Sequence, residues 1–220
     1  MIDLYHPHLS EILDKIREVA GLIHSYGWAE ANAGNLSIDV SDFLGDLCPP
    51  QKRAFIVSRS GSRYRQTAVA PHDNLLLILS DIDQDSFSPT SAKPTSEWIS
   101  HRCLQMANPS KKVILHTHPA EIIALNNDEL LSDKAELNKY FRRILPEMSI
   151  YLPAGIAICP LHPPGSDALC QASMNAISDE DALIWSGHGL LTFAASLDQA
   201  LDYQEIIVKA AKIHFLMKER

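Results

Sequence analysis

Three histidines and one glutamate occupy positions from which side chains could gather on a metal ion. His116 and His118 follow the apolar run 113–115 and are separated by one residue. On an extended backbone, residues i and i+2 project to the same face, so both imidazoles can reach one point. His188 lies in Gly187-His188-Gly189, between two apolar segments, where the flanking glycines free the backbone and leave room beside the ring. Three neutral imidazoles with an open fourth position make a usual catalytic zinc shell. Each fragment alone has a plainer reading. His-x-His also describes two strand-end histidines, and Gly-His-Gly is often only a turn. The other seven histidines, His6, His8, His24, His72, His101, His162 and His214, read as structural or surface residues. His162, in a Pro-rich turn, is the one to check for proximity to a site.

Glu97 ends Pro94-Thr95-Ser96-Glu97, a segment that reads as a helix start. Capping alone would account for an acidic residue there, because it suits the helix dipole. The same N-terminus offers backbone N–H groups to an anion, and Thr95 and Ser96 add hydroxyls. Ser58-Arg59-Ser60-Gly61-Ser62 follows an apolar strand and is a second loop able to wrap a phosphate with amides. None of these segments is decisive alone.

The elements that must position these residues are legible from periodicity. Apolar residues at 3–4 spacing predict a helix over 10–24, capped by Ser10 and stopped at Tyr26-Gly27. A turn over 31–35 leads to a strand over 36–40, then an excursion over 41–53. Strands are predicted over 54–57, 75–79, 113–115, 150–152, 156–159, 182–185 and 190–193, with a polar loop over 81–93. Helices are predicted over 94–107, from 120, over 134–143, 167–177 and 196–217, the last opened by a Ser196/Gln199 capping box. Strands outnumber the crossover helices that a parallel sheet needs. The prediction is therefore a single α/β domain over 1–220, its central sheet mostly antiparallel or mixed and flanked by helices.

Composition narrows the function. Lys and Arg number 19 against 27 Asp and Glu among 220 residues, a formal charge of −8. A nucleic-acid partner is excluded on that balance, since phosphate neutralisation needs clustered basic residues. No run approaches 18 apolar residues and no signal peptide is evident, so neither a membrane partner nor export is expected. Cys48, Cys103, Cys159 and Cys170 lie far apart, as expected of reduced thiols in a cytoplasmic protein.

Taken together and in order, five segments resemble the class II aldolase/adducin family of metal-dependent sugar-phosphate aldolases. They are Ala33-Gly34-Asn35-Leu36-Ser37, Ser60-Gly61, Pro94-Thr95-Ser96-Glu97, His116-Thr117-His118 and Gly187-His188-Gly189. Over 146–156 and 163–167 the chain is most similar to the family's rhamnulose-1-phosphate-cleaving members, and less so to those acting on fuculose 1-phosphate. The resemblance implies Zn²⁺, or another divalent transition metal, on His116, His118 and His188. It implies Glu97 as catalytic base, Glu147 as a second acid/base group, and Asn35, Ser60, Gly61, Thr95 and Ser96 as phosphate ligands. It also implies a homotetramer with active sites near subunit interfaces.

The reaction so implied is retro-aldol cleavage of a ketose 1-phosphate to dihydroxyacetone phosphate and an aldehyde through an enediolate. Epimerases, dehydratases, decarboxylases and non-catalytic adducin-like scaffolds share the family, and a metallohydrolase is a further alternative. One departure bears on the substrate. Arg59 stands where the rhamnulose-type loop has glycine, and it either adds a phosphate contact or points outward.

Overall fold

The computed structural model describes residues 2–81, 84–128 and 133–218. Its strands are β1 (Asn35–Asp39), β2 (Arg53–Ser58), β3 (Leu75–Ser80), β4 (Asp85–Ser88), β5 (Val113–Thr117), β6 (Ile156–Cys159), β7 (Ala182–Trp185) and β8 (Gly189–Ala194). Among the described residues they form one sheet in the order β4-β3-β2-β1-β5-β8-β7-β6. The β6–β7 pairing is parallel and the others are antiparallel. The helices are α1 (Ser10–Tyr26), α2 (Ser41–Leu44), α3 (Tyr64–Thr67), α4 (Pro71–Asn74) and α5 (Trp98–Ala107). They continue with α6 (Ala120–Ala124), α7 (Lys134–Ile144), α8 (Met148–Tyr151), α9 (Asp167–Ala176) and α10 (Leu197–Lys218). This is the expected mixed α/β domain.

Alternation along the strands sorts side chains onto two covered faces. Leu36, Ile38, Ile56, Leu77 and Leu115 join Ile16 of α1 and Ile207 of α10 in the main core. On the opposite face Ile114, Leu183, Trp185 and Leu191 pack with Leu104 of α5 and Leu169 of α9. Coverage of both faces explains the near-continuous apolar runs in β2 and β3. The four cysteines are free thiols, and among the described residues no helix is long and apolar enough to cross a membrane.

Two of the expected helix ends are found and one is not. Gly27 stops α1 at φ 72°, and Trp28 N–H reaches back to Ile23 O at 3.2 Å, closing a Schellman turn. Gln199 and Ser196 form the α10 capping pair, Gln199 N–H donating to Ser196 Oγ and Ala195 N–H to Gln199 Oε1. Ser10 does not cap α1. A 3₁₀ turn over Pro7–Leu9 runs into the helix, and Ser10 Oγ donates back to Pro7 O.

Three further expectations are corrected. The loop expected over 81–93 contains β4, an edge strand of mostly polar residues held by Phe87 against the Trp98 cluster; residues 82 and 83 lie outside the described residues. Residues 150–152 belong to no strand. Met148 and Leu152 are buried four residues apart while Ile150 is exposed, the spacing of the helical turn α8. The excursion over 41–53 carries α2 and a 3₁₀ turn over Gly45–Leu47.

Gly155, ahead of β6, is required by its backbone. Its φ is +89°, and an added Cβ would stand 2.5 Å from Asn138 Oδ1, which already accepts the Ile156 N–H at 2.8 Å. Gly155→Ala is expected to lower stability by about 1–3 kcal/mol, the scale of a forced backbone conformation. A lower urea midpoint at unchanged m-value would register it.

Candidate active site

β1, β5 and β8 are neighbours at the sheet centre, and their adjoining ends carry the predicted site. Asn35 pairs across from His116, and His116 from Leu191. His118 lies one residue beyond β5 and is fixed by its N–H bond to Trp28 O at 2.8 Å. His188 reaches the same point from the turn between β7 and β8. The Nε2 atoms of His116 and His118 are 2.9 Å apart, and the ligand atoms of all three histidines lie within 4.8 Å of one another.

The surroundings suit a cation. His116 Nδ1 donates to Leu190 O at 3.0 Å, so its Nε2 lone pair faces the cluster. Trp185 stacks on His188 at 5.1 Å and 20°. Burial pushes His116 well below its ordinary pKa, and His118 is lowered by burial and then by His188. Neutral rings are the metal-binding form. Two Nε2 atoms at 2.9 Å, a third imidazole beside them and a carboxylate within reach form a donor set that a divalent transition metal satisfies.

Glu97 is that carboxylate. It occupies the N-cap position of α5, which begins at Trp98 rather than at Pro94; Pro94 bridges to Arg59 and residues 96–97 turn into the helix. Its Oε1 lies 3.2 Å from His188 Nε2, and its Oε2 lies 3.5 Å from His116 Nε2. Asn35 Nδ2 donates to Oε2 at 2.6 Å. Burial raises the pKa of this group, but the His116 and His188 rings and the Asn35 amide outweigh it and hold the carboxyl below its ordinary range. Glu97 is therefore an anion in a nearly dry position. Its carboxylate serves the histidines rather than capping α5.

A cavity of about 410 Å³ opens beside this cluster, lined by Glu97, His118 and His188. The same cavity is lined by Asn35, Ser60, Gly61, Thr95 and Ser96, every residue expected at the phosphate. Backbone bonds zip the two loops together, Ser60 N–H to Lys93 O and Thr95 N–H to Ser58 O, both 2.9 Å. Arg59 lines the same cavity and also braces its loop. Its Nε donates to Leu75 O at 2.6 Å and one terminal nitrogen to His72 O at 2.9 Å, which anchors the loop to the start of β3.

The cavity wall also includes Glu30, Asn32 and Pro164, to which the sequence assigns no site role. Asn32 had a visible signal, an amide side chain three residues before Asn35 in the same Gly-containing turn. Pro164 arrives because Gly165 packs on Ser96, its would-be Cβ 2.7 Å from the Ser96 Cβ. Three residues singled out in the sequence do not line the cavity of their own chain, and the first, His116, is fully buried. Glu147 is exposed ahead of α8, and His162 stops short although its neighbour Pro164 lines the wall.

A family profile described as Class II Aldolase and Adducin N-terminal domain matches residues 14–215. The chain belongs to the class II aldolase and adducin family. Among its aldolase relatives, the rhamnulose-1-phosphate aldolase of Bacteroides thetaiotaomicron is 28% identical, covering 96% of this chain and 88% of that protein. The rhamnulose-1-phosphate aldolase of Listeria welshimeri serovar 6b is 27% identical, covering 96% and 85%. The solved structure of a sugar-phosphate aldolase from Thermotoga maritima superposes with a TM-score of 0.82 at 28% identity, over 97% of this chain and 98% of that one. As a class II aldolase family member with aldolase relatives over most of its length, the chain is an enzyme of the lyase class.

Proposed function

We propose that this enzyme reversibly cleaves a ketose 1-phosphate of the rhamnulose 1-phosphate type to dihydroxyacetone phosphate and an aldehyde, with Zn²⁺ on His116, His118 and His188. One observation carries the reading. Glu97, His118 and His188 line one cavity together with the hydroxyls and amides of Asn35, Ser60, Gly61, Thr95 and Ser96, so a cation site and an anion site open into the same space. A divalent cation held by the three histidines supplies Lewis-acid polarisation of the ketone and offsets the negative charge that develops as the C–C bond breaks.

The chain's own groups supply the rest. Asn35, Ser60, Gly61, Thr95 and Ser96 bind and orient the phosphate, with Pro164 beside them in the cavity lining. Glu97 handles the proton at the substrate carbon next to the ketone: it gives that proton after cleavage and removes it in the synthetic direction. The aldehyde end requires a second acid/base group, for which we propose Glu147 of a neighbouring subunit in a homotetramer. Its exposed position supports this, as do Ile150 and Tyr151, exposed apolar side chains beside it that suit a subunit contact. The cytoplasm is the proposed compartment, consistent with the free thiols.

The test is a panel of ketose 1-phosphates and 5-phosphates, following dihydroxyacetone phosphate release with and without chelator. Rhamnulose 1-phosphate is expected to give signal that chelation removes and Zn²⁺ restores. Release from fuculose 1-phosphate alone would reassign the sugar, and silence on every 1-phosphate would sink the proposal.

A further inference from the structure

The polar row that begins at Glu97 continues away from the cavity, between sheet and helix. β1 presents Asn35, Ser37 and Asp39 on one face, two residues apart. Glu97, His101 and Gln105 follow one another at four-residue spacing along α5. Two strand residues advance about 6.6 Å and four helical residues about 6.0 Å, so the two series stay in step for three rungs. At the first, Asn35 donates to Glu97. At the second, Ser37 Oγ stands 2.9 Å from His101 Nδ1 and donates to Gln105 Oε1 at 2.7 Å. At the third, Arg53 joins Asp39 Oδ2 to the Gln105 carbonyl, each at 2.6 Å.

Proton counting fixes the state of the middle rung. Gln105 Nε2 donates to Lys112 O at 2.9 Å, so its Oε1 faces Ser37 and can only accept. Ser37 has a single hydroxyl proton, and Gln105 takes it. The Ser37 oxygen therefore accepts from His101, whose proton resides on Nδ1. His101 is fully buried, and burial lowers its pKa to about 4, so the ring is neutral. Its Nε2 has no hydrogen-bond partner among the described residues.

We propose that His101 is a positioning residue for Glu97: its Nδ1–H, donated to the Ser37 hydroxyl that Gln105 orients, locks the first turn of α5 onto β1 and so fixes the carboxylate beside His116 and His188. A helix one turn long between Glu97 and His101 transmits the constraint, since His101 N–H bonds to Glu97 O at 3.1 Å. The inference rests on the reading that Glu97 handles the substrate proton.

Nitrogen-15 NMR of histidine-labelled protein is expected to show His101 protonated on Nδ1, a readout independent of activity. His101→Leu, which removes the donor, is expected to lower kcat about 10–100-fold with KM and bound-metal stoichiometry unchanged, the scale of a small misplacement of a reacting group. His101→Asn places an amide nitrogen where Nδ1 stood and is expected to restore most of the loss. Should His101→Leu not fold, Ser37→Ala makes the same cut from the strand side and is expected to show the same kcat loss. An Nε2-protonated ring, wild-type kcat in folded His101→Leu or Ser37→Ala, or no rescue by folded His101→Asn would each overturn the proposal. Wild-type turnover in Glu97→Gln would instead remove the role of Glu97 and leave the His101 tautomer standing.

Discussion

Glu97→Gln is expected to lower kcat by about 10²–10⁴-fold, the contribution of a positioned acid/base group, while leaving the metal bound. The substitution is isosteric. Asn35 Nδ2 can still donate to the side-chain oxygen, and the three imidazoles that would hold the cation are untouched even though the carboxylate beside them is lost. What is lost is the ability to accept a proton. Exchange of the substrate proton with solvent isolates that step, because it needs neither C–C cleavage nor the aldehyde. The expected pattern is full metal stoichiometry, near-normal substrate binding and abolished exchange. Exchange at the wild-type rate would show that another group moves the proton.

The second large effect is expected at Gly189. Its φ is not left-handed, so an alanine there meets only a steric problem, and that problem is severe. The added Cβ would sit next to Thr117 O, 3.0 Å from His116 Cε1 and 3.1 Å from His118 Cδ2. Thr117 O belongs to a central strand and can retreat only if β5 shifts against β8, which carries His116 and His118 with it. Gly189→Ala should therefore weaken metal affinity by about 10–100-fold, as when groups supporting metal ligands are changed. It should also cost about 1–3 kcal/mol of stability through overpacking. Competitive metal titration and thermal melting measure the two separately. Wild-type affinity in a folded variant would mean that this close packing does not set the histidine geometry.

Much of the site was readable because its motifs are local. His116 and His118 share a face by strand geometry alone, and the loops at 60–61 and 94–97 carry hydroxyls and amides in short runs. The misses have physical causes. β4 has one strong apolar residue, Phe87, and its pairing with β3 is invisible in Asp-Ser-Phe-Ser. Residues 150–152 were too few to separate a period of two from a turn of helix, and only burial of Met148 and Leu152 decides. The direction of Arg59 depends on the carbonyls of His72 and Leu75, which no local pattern reports. His101 alone reads as a structural or surface histidine, yet the sequence carries a signal for it. Asn35, Ser37 and Asp39 alternate in a strand buried on both faces, and Glu97, His101 and Gln105 repeat at i+4 on a buried helix face. Two polar periodicities inside a core demand each other.

The central placement of β1, β5 and β8 ties the chemistry to how the chain folds. Asn35, Glu97, His116 and His188 are spread through the sequence, and they meet only when three strands separated by long stretches of chain have paired. Such non-local pairings form slowly, since loop entropy is lost before contacts reward it. A partly folded chain thus holds the same histidines but not their convergence. A cation that prefers the converged state draws the equilibrium toward the native sheet in proportion to its free concentration. Amide exchange in β5, slow because the strand is central, should slow further as the cation is added, while the β4 edge scarcely responds.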